Sequence, residues 1–369
     1  FFFFFFNFFF CFFFFSFSSI LFNSFGPNKK SFLISVTFSI PGMSIKFTST
    51  PLLNLTLNIV KARELLGLLV VGKINKLSTS NCSIFSNSGI CDLRNYTETV
   101  TYFGMRKSDC IIHLAANVGG LFKNLEHNVE MYEDNMLMNF NVLKACHELQ
   151  IKNCLCILST CIFPNKTEYP INETMLHNGP PHDSNSGYSY AKRMLDIHCK
   201  LYNDKYNYNY KCLIPTNLYG KHDNYSIENG HVIPGLIHKC YLESTSNKVN
   251  KWVNVWGTGK PLRQFLYVND LARVIISSIE NITWQKDTTS IIVAPSEEIS
   301  ILNVSTIIGK EFNLNNIKLH PEKSDGQYKK TADNSLFKKY FTNFEFTPFE
   351  KGIKETCQHF IKNYSDVRK

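Results

Sequence analysis

Three things are missing from this chain of 369 residues, and each removes a class of function. First, no C-x-x-C pair occurs among its twelve cysteines, which come closest at Cys154, Cys156 and Cys161. Structural zinc sites and secreted disulfide frameworks use tighter, paired spacings, so reduced thiols, a cytoplasmic setting and no bound metal are expected. Second, no run of Lys or Arg exceeds two residues. The net charge of +9 and pI of about 8.8 therefore describe scattered cations rather than the basic stripe that nucleic acid requires. No nucleic-acid partner is expected; an anionic small-molecule substrate fits the same charge. Internal repeats are also absent.

The third missing thing is charge near the start, where none precedes Lys29. The first 25 residues, FFFFFFNFFFCFFFFSFSSILFNSF, are long enough to span a bilayer. They lack the Met and the basic region that open a signal peptide. Enrichment in Phe, Lys, Asn, Ile and Tyr is also what AT-rich coding sequence yields. Residues 1–50 are expected to stand outside the fold, as non-coding sequence carried into the reading frame. A disordered or a membrane-associated extension is the alternative, and no membrane partner is expected.

From about Leu55 the pattern turns globular, and a 44% hydrophobic content suffices for a large core. LTLNIV reads as a strand leading into GLLVVGKI, residues Gly67 to Ile74, and NCSIFSNSGICDL as a second strand ending near Asp92. DCIIHLAA has the continuous apolar character of a buried parallel strand. Residues 124–149 show helical spacing at Val129, Met136, Phe140 and Leu143. KNCLCILSTCIFP is a further buried strand, stopped by Pro164; GYSYAKRMLDIHCKLY is a helix, and YKCLIPTNLYG a strand then a turn. Strands alternating with helices predict an α/β doubly wound parallel sheet. The alternation weakens after Tyr219, which suggests a first domain over 51–214 and a smaller mixed one over 215–369, with some chain returning to the main sheet. Such sheets bind ligands beyond the carboxyl ends of their strands.

Tyr188 and Lys192 stand four apart on one predicted helix and face the same way. A neighbouring ammonium stabilises phenolate and is expected to lower the Tyr pKa, making it an acid or base near neutrality. Y-x-x-x-K alone is weak in a chain with 17 Tyr, where a solvated Tyr and Lys on an exposed face is the plainer explanation. Context strengthens it. Ser159 ends the strand CLCILS, and Cys161 follows two positions later, so in an extended segment it points to the same side. Without other support Cys161 reads as a buried small hydrophobe and His231 as a satisfied surface or core histidine.

LSTCIFP, GYSYAKR, IPTNLYGKHDN, GHVIPGLIHK, VWGTGKPLRQFLYVND and KSDGQYKKTA together resemble the GDP-L-fucose synthases. That family of extended short-chain dehydrogenase/reductases epimerises GDP-4-keto-6-deoxy-D-mannose at C3 and C5 and reduces it at C4. The resemblance runs from about Ser108 onward, with LAANVGGLFKN and ETMLHNGPPH fitting the same family. It implies a Rossmann-type sheet with a smaller substrate domain, the cofactor NADP(H), a GDP-sugar substrate and a homodimer. On matching positions it implies Ser159, Tyr188 and Lys192 as the reductase triad, with Cys161 as base and His231 as acid for epimerisation. It also implies Ile157, Leu158, Ser159, Thr160, Lys192, Pro215, Thr216, Asn217, Leu218 and His231 around NADPH. Lys239, Trp256, Arg263 and Asp325 are implied for the GDP-sugar. Lys239 stands where some members carry Arg, which keeps the charge and gives up the bidentate fork.

GLLVVGKI occupies the slot of this family's first β-α turn, G-x-x-G-x-x-G, whose glycines admit the pyrophosphate to a helix N-terminus. Gly67 and Gly72 stand for the outer two; Leu69 takes the central place, and one spacing is wrong. Asp92, 20 residues beyond Gly72, falls where the resemblance implies an adenine contact. As a P-loop the segment fails, because Ile74 has no hydroxyl for Mg²⁺. It is expected to be a damaged dinucleotide turn. Two rivals follow: another nucleotide-sugar epimerase or dehydratase of the superfamily, which needs no Cys161–His231 pair, and a non-catalytic member that no longer holds NADPH.

Overall fold

Four short apolar runs separated by amphipathic helices form the centre of the molecule. The computed structural model describes residues 90–369 except 107, 120, 229, 281–287, 324 and 326–329. The Phe-rich start, the two expected strands before Asp92, and Gly67 and Gly72 lie outside the described residues. Strands β1 (Cys110–His113), β2 (Asn153–Ile157), β3 (Asn209–Pro215) and β8 (Ser290–Val293) form one sheet in the order β1-β2-β3-β8, all parallel. Nearly every residue of these strands is buried, as their unbroken apolar sequences require.

Period-two alternation divides the strands between two packed faces. Ile111, Cys154, Cys156, Cys212, Ile214 and Ile292 meet Val142 and Leu143 of α3 (Asn128–Glu148) and Leu195 of α4 (Ser186–Tyr206). Ile112, Leu155, Leu213, Ile291 and Val293 meet Leu271, Val274 and Ile275 of α6 (Val268–Glu280) on the other side. Both β8 and α6 come from chain beyond 215, so the later part of the sequence supplies a strand and a covering helix to the main sheet. A separate core gathers α5 (Val232–Thr245), β5 (Val253–Trp256), α7 (Ile301–Glu311) and α9 (Phe349–Lys362) around Ile237, Val255, Ile308 and Phe360. The described residues from 90 onward belong to one compact unit.

The helix expected over 124–149 is interrupted at His127. A short helix α2 (Leu121–Glu126) precedes the break, and α3 then runs from Asn128 to Glu148. Asn128 explains the restart: its Oδ1 accepts from the Gly187 N–H at 2.7 Å, and its Nδ2 donates to Ser186 Oγ at 3.0 Å. The starts of α3 and α4 are thereby locked together. Gly187 is required there, because a Cβ would run into the Asn128 carbonyl. At its far end α4 closes on Asn207, in the left-handed conformation at φ 56° with its N–H bonded to Asn203 O.

Candidate active site

A cavity of about 430 Å³ opens beyond the carboxyl ends of β2 and β3, where a doubly wound sheet binds its ligands. All five expected catalytic residues, Ser159, Cys161, Tyr188, Lys192 and His231, line it. So do the expected cofactor residues Ile157, Leu158, Thr160, Pro215, Thr216, Asn217 and Leu218, and Arg263 from the sugar-binding set. Lys239, Trp256 and Asp325 stand apart from it, as does Asp92.

Ser159 leaves β2 in extended conformation and caps a 3-10 turn over Thr160–Ile162, its Oγ accepting the Cys161 N–H at 3.5 Å. The segment is thus not extended through Cys161, as two-residue alternation suggested. The turn, not strand periodicity, carries the thiol to the cavity. Arg193 holds that turn: its Nε donates to Ile162 O at 3.0 Å, Nη2 donates to the same carbonyl, and Nη1 donates to Gly179 O at 2.7 Å. Sequence reading stopped one residue short, at Lys192. The signal was the Y-x-x-x-K-R extension, which supplies a buried cation whose fork suits carbonyl oxygens.

Tyr188 is 9% exposed and Lys192 1%. The Tyr188 ring packs with Ala116 and Met131, with Cys161 against the group. Burial lifts its hydroxyl far above the ordinary tyrosine range, with Cys161 adding to the rise. The expected lowering by Lys192 is overturned here. The ammonium is itself desolvated, which brings it down to about 8, and it donates to Ile157 O at 2.9 Å. Behind it, His113 donates from Nε2 to Asn139 Oδ1 at 2.8 Å, while Asn139 Nδ2 donates to Ala191 O at 3.1 Å. Burial first, then the Lys192 charge, drives His113 down to about 3. It therefore remains neutral beside the lysine. Sequence reading passed over both residues, since a lone His and Asn inside apolar elements carry no spacing signal.

His231 is the N-cap residue of α5, yet its side chain makes no capping bond, so the imidazole is left for the cavity. Lys330, from the KSDGQYKKTA segment, also lines the cavity and was not singled out in sequence. Burial lowers its pKa, with Cys161 opposing and Arg263 reinforcing the fall, which sets it among both groups.

The remaining sugar-binding candidates form a second cluster. Lys239 Nζ sits 3.4 Å from the Trp256 ring centroid, and burial brings Lys239 down to about 8. Asp325 accepts from Thr258 N at 2.6 Å and from Thr258 Oγ1 at 2.7 Å. Arg263 links the cluster to the cavity: it lines the latter, burial lowers its pKa, and the charges of Tyr169 and Asp325 act against that fall. Asp92 is held by Arg94 at 2.7–3.2 Å, and Arg94 also reaches Asp134 at 3.1 Å.

Two questions of fit remain. For a dinucleotide, the hydroxyl of Thr216 is buried in the cavity wall with no hydrogen-bond partner among the described residues, an acceptor and donor awaiting a polar ligand. The bonding capacity and position of this wall suit NADP(H). For a metal, the sulfurs of Cys156, Cys199 and Cys212 lie within 4.8 Å of one another. They come from three elements in the core, away from the cavity, and burial holds Cys199 and Cys212 as thiols.

Comparison with known proteins agrees with this fold. Residues 62–293 match the NAD dependent epimerase/dehydratase family. GDP-L-fucose synthase of Dictyostelium discoideum is 47% identical over 287 residues, 78% of this chain and 88% of that protein. Probable GDP-L-fucose synthase of Drosophila melanogaster is 44% identical over 292 residues, 77% and 90% of the two chains. Among solved structures, a GDP-L-fucose synthetase from Naegleria fowleri bound to NADP superposes with a TM-score of 0.78 at 41% identity, covering 85% of this chain and 95% of its own.

Proposed function

Because the chain belongs to the NAD dependent epimerase/dehydratase family, alongside its GDP-L-fucose synthases, we propose that it converts GDP-4-keto-6-deoxy-D-mannose to GDP-L-fucose. The reaction is 3,5-epimerisation followed by NADPH-dependent reduction at C4. One observation carries the proposal: Ser159, Tyr188 and Lys192 share a single cavity with Cys161 and His231. A reductase needs the first three; the second pair is what an epimerase adds.

A ketone at C4 acidifies the hydrogens at C3 and C5, so one acid and one base suffice to invert both carbons in turn. Cys161 sulfur takes the proton from one face and His231 returns one from the other; exchange with water then strips the sulfur and reprotonates the imidazole before the second carbon is inverted. The enolate oxygen that forms between these steps faces Ser159 Oγ and Tyr188 OH, which donate to it. The high proton affinity of buried Tyr188 keeps it a neutral donor until charge develops on that oxygen. It then gives its proton to the C4 oxygen as the ketone is reduced. Lys192, fixed to Ile157 O, provides the positive charge that offsets the phenolate left behind. NADPH, when bound, supplies the hydride to C4. Ile157 to Thr160, Lys192, Pro215 to Leu218 and His231 would hold it, with Gly67, Gly72 and Asp92 assigned to its distal half. Lys239, Trp256, Arg263 and Asp325 would hold the GDP-sugar, cations serving the diphosphate and the indole an apolar face.

The test is incubation of the full chain with GDP-4-keto-6-deoxy-D-mannose and NADPH. GDP-L-fucose should form with equimolar oxidation of the cofactor. Oxidation that gives only the unepimerised alcohol, or none at all, would contradict the proposal.

Residues 51–214 are the proposed NADP-binding domain and 215–369 mainly the sugar-binding one. A homodimer is proposed through α3 and α4, where Val129, Leu137 and Phe140 on the first helix and Tyr190 and Leu201 on the second remain exposed. Light scattering should give twice the chain mass at micromolar concentration; a stable monomer would rule the interface out. All ten described cysteines are free thiols, which supports a reducing, cytoplasmic setting, and among the described residues no helix is long and apolar enough to cross a membrane.

A further inference from the structure

The cavity wall is strongly one-sided in charge. Lys192, Lys221, Arg263, Lys330 and Arg368 face it, while Asp223 is the one carboxylate among the described residues that do. For a GDP-sugar and NADPH, both polyanionic, the cations are expected and a carboxylate is adverse. Asp223 needs another reason to be there, and its surroundings supply one.

Asp223 lies in the loop from Gly220 to His231 that joins β4 (Asn217–Tyr219) to α5. The loop turns at Gly220, whose φ of 153° and contact with Val268 leave no room for a side chain. Its centre is pinned by buried Tyr225, whose hydroxyl donates to Gly220 O at 3.2 Å and whose carbonyl accepts from His238 Nδ1 at 2.7 Å. The Tyr225 N–H donates to Arg368 O at 2.8 Å, which ties the loop to the segment after α9. That segment is anchored in turn. The Tyr364 ring lies 4.3 Å from Tyr241 and 5.5 Å from Phe360, and Lys369 Nζ stands 3.6 Å over it. Two pieces of chain, more than a hundred residues apart, are thereby fastened so that Asp223 and Arg368 enter the cavity together with His231.

We propose that Asp223 and Arg368 form a charge clasp on His231, in which the carboxylate favours the protonated imidazole and the guanidinium keeps the carboxylate ionised. The proposal rests on the role of His231 as the acid of epimerisation. That acid must carry a proton in an unfavourable place: it begins α5, where the positive end of the helix dipole opposes an imidazolium, and the cations of the wall oppose it too. A single carboxylate on the same loop offsets both. Of the other titratable groups facing the cavity, Lys192, Lys221 and Lys330 are cationic, Tyr188 is held neutral by burial, and Cys161 is the base that takes up a proton in each transfer, so none supplies a standing negative charge in its place. Burial pushes the Asp223 carboxyl up to about 6, against the pull of His231, the Asn224 N–H at 2.7 Å and Arg368. Losing the guanidinium would raise it further and cost the clasp its negative charge near neutrality. Both are positioning residues, acting through His231.

The test is the pH dependence of deuterium wash-in at C3 and C5 of the substrate in D₂O. The full chain is used with NADP⁺ in place of NADPH, so that only proton exchange is read. Asp223→Asn should move the alkaline limb of the profile down by about one pH unit, and Asp223→Glu should restore most of it. Arg368→Gln should move the limb the same way by less. The double variant Asp223→Asn/Arg368→Gln should match Asp223→Asn or rise slightly above it, because the guanidinium then has no carboxylate to act through. An unmoved limb in Asp223→Asn would overturn the clasp. So would a uniform fall in rate with the limb in place, which lost packing alone would produce, or a downward shift from Arg368→Gln that persists without Asp223. Wild-type protein that exchanges nothing would refute the epimerase reading itself and the clasp with it. Normal wild-type exchange beside an unmoved Asp223→Asn limb would refute the clasp alone.

Discussion

The proposed reacting groups on α4 and on the turn after β2 sit deep in the fold, with Lys192 1% exposed and both Lys192 and Arg193 donating to backbone carbonyls. The proposed sugar-binding residues outside the cavity lining are more open: Trp256, at the end of β5, is 46% exposed with Lys239 over its ring, and Asp325 accepts from the backbone and the side chain of Thr258. Desolvation governs the first region: it raises Tyr188, lowers Lys192 and makes Arg193 depend on the carbonyls it reaches. In the second region burial lowers Lys239 as well, but Trp256 and Asp325 stay open to water, where salt screens charge. On the proposed roles, chemistry is built on buried, backbone-fixed groups and ligand capture on more exposed ones. Mutations in the two should differ in both size and kind.

The largest effect is expected on the buried side. Arg193→Gln removes a guanidinium that satisfies two carbonyls in the interior, at a cost of roughly 3 kcal/mol. Calorimetry should show a fall in Tm, and deuterium exchange at C3 and C5 should drop more than tenfold as the Cys161 turn loosens. Arg193→Lys should fail to restore either, since an ammonium lacks the fork. An unchanged Tm would show that the turn is held by something else.

An intermediate effect is expected from Lys239. Its folded pKa is lowered to about 8, so its charge is present below that pH and lost above it. On the proposed role at the diphosphate, KM for the GDP-sugar should rise severalfold as pH climbs past 8, with kcat less affected. Lys239→Arg should flatten that rise, because a guanidinium stays charged. The same rise in both proteins would assign it to another group. Smallest of all is Trp256→Leu, which gives up a cation–π contact worth about 0.5–1 kcal/mol at an exposed site. KM should increase by a factor of about two to five, with kcat and Tm unmoved. A large loss of kcat from this change would erase the distinction between the two regions.

The same contrast explains what could be read from the sequence. That these residues share a cavity was legible because they sit in contiguous signals: Ser159 and Cys161 at a strand end, Tyr188 and Lys192 one helical turn apart. Its fine mechanics were not. That Cys161 is presented by a 3-10 turn, that burial overrides Lys192 at the Tyr188 hydroxyl, and that Arg193 holds the turn all depend on packing that no spacing encodes. The alternating strands and helices were legible too, whereas the break at His127 depends on Asn128 reaching across to Gly187. Asp223 and Arg368 reach one cavity because the Tyr225–Arg368 backbone bond and the His222–His359 and Tyr225–Phe360 ring contacts join segments with no common motif. Lys330 lay inside a recognised segment, but nothing local distinguishes it from its neighbour Lys329.

The central claim is that one cavity holds two separable chemistries, and a pair of variants in D₂O addresses it directly. GDP-4-keto-6-deoxy-D-mannose is incubated with NADPH and either Tyr188→Phe or Cys161→Ser, and deuterium content and reduced product are measured together. Tyr188→Phe lacks the proton donor for C4, so reduction should fall about 10²- to 10⁴-fold while deuterium still enters C3 or C5. Cys161→Ser replaces the thiol with a far weaker base of similar size. It should show little exchange yet slowly reduce the unepimerised ketone. Equal loss of both activities in each variant would contradict the division of labour and remove Cys161 from the role of base.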